Sequence, residues 1–147
     1  MYKVLKYRRK GTKQMTRNEA REILMQIMYE MDASKNIDKD HAISLVSERL
    51  SGNHVERGQK LLSAIIDDIQ SIDEEINKHS KSWKTSRMPK VDLAIMRLAV
   101  GEIRFSEDIP DAVAINEAIN LAKKYSTDHS SRFVHGVLGA LTKNNGQ

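Results

Sequence analysis

The stretch from Pro110 to Leu141, PDAVAINEAINLAKKYSTDHSSRFVHGVLGAL, limits what this chain can fold into more than any other. Its apolar residues recur at helical spacing twice, on either side of a polar elbow at Ser126–Asp128. In the first run Val113, Ala114, Ala118, Leu121, Ala122 and Tyr125 share one face, with Ile115 and Ile119 flanking it. In the second, Phe133, Val134, Val137, Leu138 and Leu141 do the same. Pro110 or Asp111 opens the first helix, where a proline's missing N–H costs nothing. The second begins near Ser130, capped from Asp128–Ser130.

The rest of the chain follows the same period. Thr16-Arg17-Asn18-Glu19 is a capping box, and Ala20, Ile23, Leu24, Ile27, Met28 and Met31 follow as the stripe of a first helix ending near Asp32–Lys35. Arg17 and Arg21, one turn apart, are expected on that helix's outer face. A second helix runs over 38–50 with Ile43, Val46 and Leu50 inward, and Ser51-Gly52-Asn53 breaks it. A long third helix is expected from about Val55 to Lys78, striped by Leu62, Ile65, Ile69, Ile72 and Ile76. A polar connector, His79–Met88, holds the only tryptophan, Trp83. After Pro89 comes the most apolar helix of the chain, with Val91, Ala94, Ile95, Leu98 and Ala99 inward, which is expected to be the central one. Every element read is helical, so the fold class is all-α. The expected architecture is a compact helical bundle of about six to seven helices in two small halves, with the connector as the seam.

Composition narrows the class further. Two prolines and seven glycines leave few breakers, and at 5% aromatic the core must be filled by Leu, Ile, Val, Ala and Met. The absence of cysteine excludes disulfides and thiolate metal sites and is compatible with a cytoplasmic location, the expectation here. The longest apolar runs, Leu93–Met96 and Ala112–Ile115, are far short of the ~20 residues a membrane helix needs, so no membrane partner is expected. The basic N-terminus lacks the apolar core of a secretory signal.

The net charge of +4 conceals an asymmetry. Residues 1–18 carry seven Lys/Arg and no acid, whereas the remainder carries 17 basic and 20 acidic groups. Residues 1–14 therefore read as a flexible basic arm on a mildly acidic domain spanning 15–143. Such an arm suits a polyanion partner. A solvated tail or a cloning remnant explains the charge equally well.

No catalytic constellation emerges. The five histidines (His41, His54, His79, His129, His135) contain no i, i+4 pair and no HExxH, so no metal site is assigned. There is no G-x-S-x-G and no phosphate-binding glycine loop. Gly136-Val-Leu-Gly139 matches a bare GXXG, but inside an apolar helical stripe close helix packing explains it better. Asn116 and Glu117 fall on the polar side of their helix, and Asp92 and Arg97 are taken as structural caps or pairs. Nucleic-acid binding remains. The arm supplies cations for phosphates, Lys123, Lys124 and Arg132 flank the elbow, and Tyr125 and Phe133 are candidate stacking faces. Core packing is the favoured reading of Tyr125, and the two readings of Phe133 are evenly matched.

Three blocks make the chain resemble the NusB family of bacterial transcription antitermination factors. They are MTRNEAR at 15–21 leading into Met28-Tyr29, RMPKVDLAIMRLA at 87–99 followed by Glu102-Ile103, and IPDAVAINEAINLAKKY at 109–125 with SRFVHGVL at 131–138. The resemblance implies an all-helical fold, no enzymatic activity and no cofactor. It also implies binding of boxA RNA together with ribosomal protein S10 (NusE). That complex acts with the RNA polymerase elongation complex and other Nus factors on ribosomal RNA operons. Carried over by position, Arg17 and Arg21 match the basic start of the first helix that contacts RNA, and Arg8, Arg9 and Lys10 fit the same role. Lys90, Lys123, Arg132 and Phe133 match positions on or near the RNA-facing side, and Glu102 lies near the expected S10 surface.

Some residues depart from the family's pattern. Asn18 stands where a second Arg is common, Gly101 replaces a usual aromatic, and Ser126 replaces a frequent Gly, making a left-handed helix end less favourable. His129 and His135 stand where Asp and Asn are common, and His129 either removes an anion near RNA or adds a pH-sensitive cation. Other functional readings stay open at this point. One is a ribosome-assembly or structural protein, for instance a homodimer covering its basic surface. Another is an RNA-targeting module of the kind fused to ribosomal RNA methyltransferases, and a helix-turn-helix DNA regulator is a fourth.

Overall fold

The structure is a computed structural model and describes residues 14–146. The basic arm, with Arg8, Arg9 and Lys10, therefore lies outside the described residues. Seven helices follow one another among those residues, with no strand: α1 (Arg17–Ala33), α2 (Lys39–Arg49), α3 (His54–Asp67), α4 (Ile69–His79), α5 (Lys90–Phe105), α6 (Asp111–Tyr125) and α7 (Asp128–Gly146).

Local chemistry sets most of the boundaries. Thr16 Oγ1 accepts from the Glu19 amide at 3.1 Å while Glu19 Oε1 accepts from the Thr16 amide at 2.8 Å, so the capping box is complete. Asp38 caps α2 by accepting from His41 N. Gly52, with φ at +62°, makes the turn into α3, a left-handed conformation that glycine adopts without steric cost. Thr127 Oγ1 accepts from Ser130 N and starts α7 at Asp128, two residues earlier than its apolar stripe suggests. Ser126 ends α6 with φ at −130°, outside the left-handed region, as expected without a glycine there.

The central element is α5. Its exposed share is small all the way round from Asp92 to Glu102, because α1 and α3 cover one side while α4, α6 and α7 cover the other. The N-terminal half is α1–α3, the C-terminal half is α4, α6 and α7, and α5 runs through both. Met25, Ile27, Met28, Leu62, Ile65, Ile72, Ile76, Ile95, Met96 and Leu98 are among the largest fully buried side chains, so one continuous core joins the halves.

Three expectations need correction. The long third helix is two: the chain leaves helical geometry at Asp68, with φ −116° and ψ 17°, although the Asp68 N–H still reaches Ala64 O and its carbonyl still accepts from Ile72 N. Arg104 on α5 donates to Asp68 Oδ2 at 2.7 Å at the bend, and beyond it α4 packs on α7. Val113 is 42% exposed rather than core, because it lies a hundred degrees or so around α6 from Ala114, on a side nothing covers. Gly136 and Gly139 are not at a close helix contact either. A Cβ on either would meet nothing within 4 Å, since both face an open groove along the outside of α7.

The missing aromatic at 101 does have a structural counterpart. A Cβ on Gly101 would lie 2.3 Å from Ile65 Cδ1 and 2.4 Å from Ile65 Cγ1. The small residue brings α3 directly against the α5 backbone.

Candidate nucleic-acid interface

The expected site residues separate into three environments. At the elbow, Lys123 and Arg132 are exposed, and among the described residues neither has a carboxylate partner. Their neighbour Lys124 is neutralised: its Nζ lies 2.6 Å from Glu22 Oε2 on α1 and 5.4 Å from the centre of the Tyr125 ring. Tyr125 itself is buried and belongs to the core. Burial, and then a hydrogen bond to the Glu22 carboxylate, push its hydroxyl well above the ordinary phenol range. Glu22 thus ties the elbow to α1, leaving Lys123 and Arg132 as its free cations.

Phe133 is half-buried on the same elbow. Its ring centre is 5.1 Å from that of Trp83 at an interplanar angle of 72°, and His129 meets the same indole at 5.6 Å and 79°. Both are edge-to-face arrangements. Ser80 Oγ donates to the Trp83 carbonyl and Lys84 Nζ donates to the carbonyls of Asn77 and Ser80, so the connector is fastened at the end of α4. From the sequence, Trp83 reads only as part of the seam. Its role as the support for Phe133 and His129 had no signal in the sequence, because 46 or more residues separate them.

Arg17 stands on another flank of α1. Residues five apart, such as 17 and 22, point roughly 140° away from each other, so Arg17 faces α3 while Glu22 faces the elbow. Arg17 Nη2 donates to Asp108 Oδ2 at 3.3 Å, and Arg57 Nη2 lies 2.9 Å from the same oxygen. The hydrogen bond from Arg57 holds the Asp108 carboxyl below the usual carboxylate range. Behind this trio is a cleft of about 520 Å³ between α1, α3 and the loop after α5. Lys90 is at the far end of α1, where its Nζ lies 3.6 Å from Asp32 Oδ2.

Arg21 and Glu102 are not at the surface at all. Arg21 Nε donates to both Glu102 oxygens at 3.0 Å, and their side chains are 4% and 6% exposed. Asn18, where a second arginine is common, accepts from Arg21 Nη1 at 2.8 Å and helps aim it. The expectation that Arg21 lines the outer face and Glu102 a partner surface is corrected. Each is inward-facing, and each neutralises the other. A second inward pair does similar work lower on α5, where Arg97 holds Asp73 with two bonds of 2.9 and 2.7 Å.

Among the described residues no group of three or more His, Asp or Glu could hold a metal ion, and no helix is long and apolar enough to cross a membrane. The arrangement offers exposed cations and a supported aromatic, which is the equipment for holding phosphates and stacking a base.

Comparison with known proteins finds relatives over most of the chain. Residues 18–143 match the family model described as the NusB family. A transcription antitermination protein NusB from Natranaerobius thermophilus is 40% identical over 128 residues, covering 84% of this chain and 92% of that protein. One from Agathobacter rectalis is 42% identical over 127 residues, covering 84% and 97%. Among solved structures, T. maritima NusB superposes with a TM-score of 0.80 at 27% identity, covering 89% of this chain and 93% of that one. A structure described as antitermination factors NusB and NusE in complex with dsRNA gives 0.75 at 26% identity, covering 88% and 99%.

Proposed function

The chain belongs to the NusB family, and on that premise we propose that it is an RNA-binding transcription antitermination factor. It binds boxA RNA together with ribosomal protein S10 (NusE) and acts in the cytoplasm on ribosomal RNA operons, with the RNA polymerase elongation complex and other Nus factors. The reading assigns it no catalytic step and no cofactor.

The observation that carries the reading is the elbow between α6 and α7. There Lys123 stands in the last turn of α6 and Arg132 in the first turns of α7, both exposed and without a carboxylate partner among the described residues, and Phe133 next to Arg132 is partly exposed with Trp83 edge-on to it. Unpaired cations are available to phosphates, and a ring fixed by its neighbour stacks on a base with little loss of side-chain entropy. The S10 relation is supported by the likeness to the NusB–NusE–dsRNA structure. The arm, with Arg8, Arg9 and Lys10, adds charge that needs no fixed geometry to act, and Arg17 and Lys90 add charge along α1. Arg21 supports the surface from inside by holding α1 to α5.

A gel shift with boxA RNA, with and without S10, tests the proposal. Specific binding strengthened by S10 is expected, with a steep salt dependence that flattens when residues 1–14 are deleted. Equal affinity for RNA lacking boxA, even with S10 present, overturns it.

A further inference from the structure

We infer that the mouth of the cleft between α1, α3 and the α5–α6 loop is a second RNA contact. It takes one unpaired nucleotide, with the phosphate between Arg17 and Arg57 and the base on Phe105. The inference rests on the RNA-binding reading above and extends it to a site on the other flank of α1.

Three observations carry it. First, two guanidiniums from different helices converge on a single anionic oxygen, Asp108 Oδ2, at 3.3 and 2.9 Å. Planar guanidinium groups suit phosphate as well as carboxylate, so Asp108 occupies the place a phosphate oxygen would take. Two cations against one anion also leave the trio with a net positive charge. Second, the trio is accessible. The side chains of Arg17, Arg57 and Asp108 are 50%, 43% and 51% exposed, and Asp108 is on a loop, free to turn aside without disturbing the core. Third, Phe105 at the end of α5 is 40% exposed and lines the same cleft, so its ring is accessible to a base held there. A cleft of about 520 Å³ lies within the range of sites that hold a small ligand, roughly 300–1,000 Å³. Its inner wall is apolar, with Leu24 and Leu61, backed by the mutually neutralised Arg21–Glu102 pair. Arg17, assigned above to the RNA surface, itself lines this cleft, so a phosphate held by Arg17 is already at its mouth.

Asp108 then acts as a placeholder that keeps the two arginines apart and pre-aimed, and the phosphate displaces it. The test uses the full-length protein, S10 and a single-stranded RNA carrying boxA with several extra nucleotides on each side. Asp108→Asn is expected to bind this RNA several-fold more tightly, because it removes the competing anion. Arg57→Ala is expected to bind more weakly, with the slope of log affinity against log salt reduced by about 0.7, the share of one phosphate contact on a single strand. Phe105→Ala is expected to lose about fivefold or more with the slope unchanged, since stacking releases no counterion. Circular dichroism of each variant separates these effects from misfolding, and Arg57 and Phe105 are exposed enough to be replaced safely.

If all three variants bind like wild type while Arg132→Ala weakens binding, the cleft inference fails and the RNA-binding reading stands. If wild type binds no RNA, both fail. If the variants alter S10 affinity in the absence of RNA and leave RNA binding alone, the cleft is a protein site and the inference is overturned.

Discussion

Arg21 on α1 and Glu102 on α5, 81 residues apart, form a buried pair in which Nε donates to both carboxylate oxygens at 3.0 Å. Nη2 also comes within 2.9 Å of Oε2, though without the alignment of a hydrogen bond. Removing one member strands the other charge in the interior, which costs about 3–5 kcal/mol, whereas replacing both with apolar groups is often nearly neutral. Arg21→Ala should therefore lower the urea midpoint sharply, and Arg21→Met/Glu102→Leu should recover most of it. The double variant should keep the wild-type salt slope for boxA RNA, because the guanidinium is committed to Glu102. A flattened slope in a stably folded double variant would mean that Arg21 does reach RNA.

At the elbow the charge and the ring are separable. Lys123→Ala and Arg132→Ala should each weaken RNA binding and reduce the salt slope by about 0.7. Phe133→Ala should weaken binding without changing the slope. It should also cost about 0.5–1.5 kcal/mol of stability beyond the lost area, from the edge-to-face contact with Trp83. Because Trp83 is the only tryptophan, its fluorescence reports on that contact directly.

Gly101→Ala tests the close approach of α3 to α5. Alanine favours a helix over glycine by about 1 kcal/mol, which on an open helix face would stabilise. Here the new Cβ runs into Ile65, which is fully buried, and overpacking of this kind costs about 1–3 kcal/mol. Net destabilisation is expected on thermal melting, partly relieved by adding Ile65→Val. A raised melting temperature would show that the two helices separate easily.

Tyr125 predicts an alkaline effect. Its hydroxyl titrates higher folded than unfolded, so the unfolded chain loses that proton first as pH rises. The stability it contributes is fully present below pH about 10 and falls as pH climbs above it. In a native ultraviolet titration, Tyr125 should remain protonated when exposed phenols ionise. Glu22→Gln should bring its titration down part of the way, the share due to Glu22 and not to burial. An unchanged titration in Glu22→Gln would mean that the Glu22 bond contributes nothing.

The elements themselves were legible in the residues. Thr16 and Glu19 fixed the start of α1, Asp38 the start of α2, Pro110 the start of α6, and the stripes of Ile23–Met31, Leu62–Ile76 and Ala114–Tyr125 gave their buried faces. These are local matters, settled by side chains within a turn or two of one another. The sequence reads as one long third helix because its stripe continues unbroken through Asp68, whose side-chain partner at the bend, Arg104, is 36 residues away. The site divided along the same line. Lys123, Arg132 and Phe133 were readable as a polar elbow with one aromatic. That Trp83 supports Phe133, that Asp108 gathers Arg17 and Arg57, and that Arg21 turns inward were not. Helical periodicity states which residues share a face, and near the edge of a stripe it leaves open whether a long charged side chain meets water or a partner. For Arg21 that was decided by Glu102, which α5 brings to the same height on α1. Composition and spacing determined an all-α chain with a basic end, and only the packing of α5 between the two halves decided which of its charges remain free for RNA.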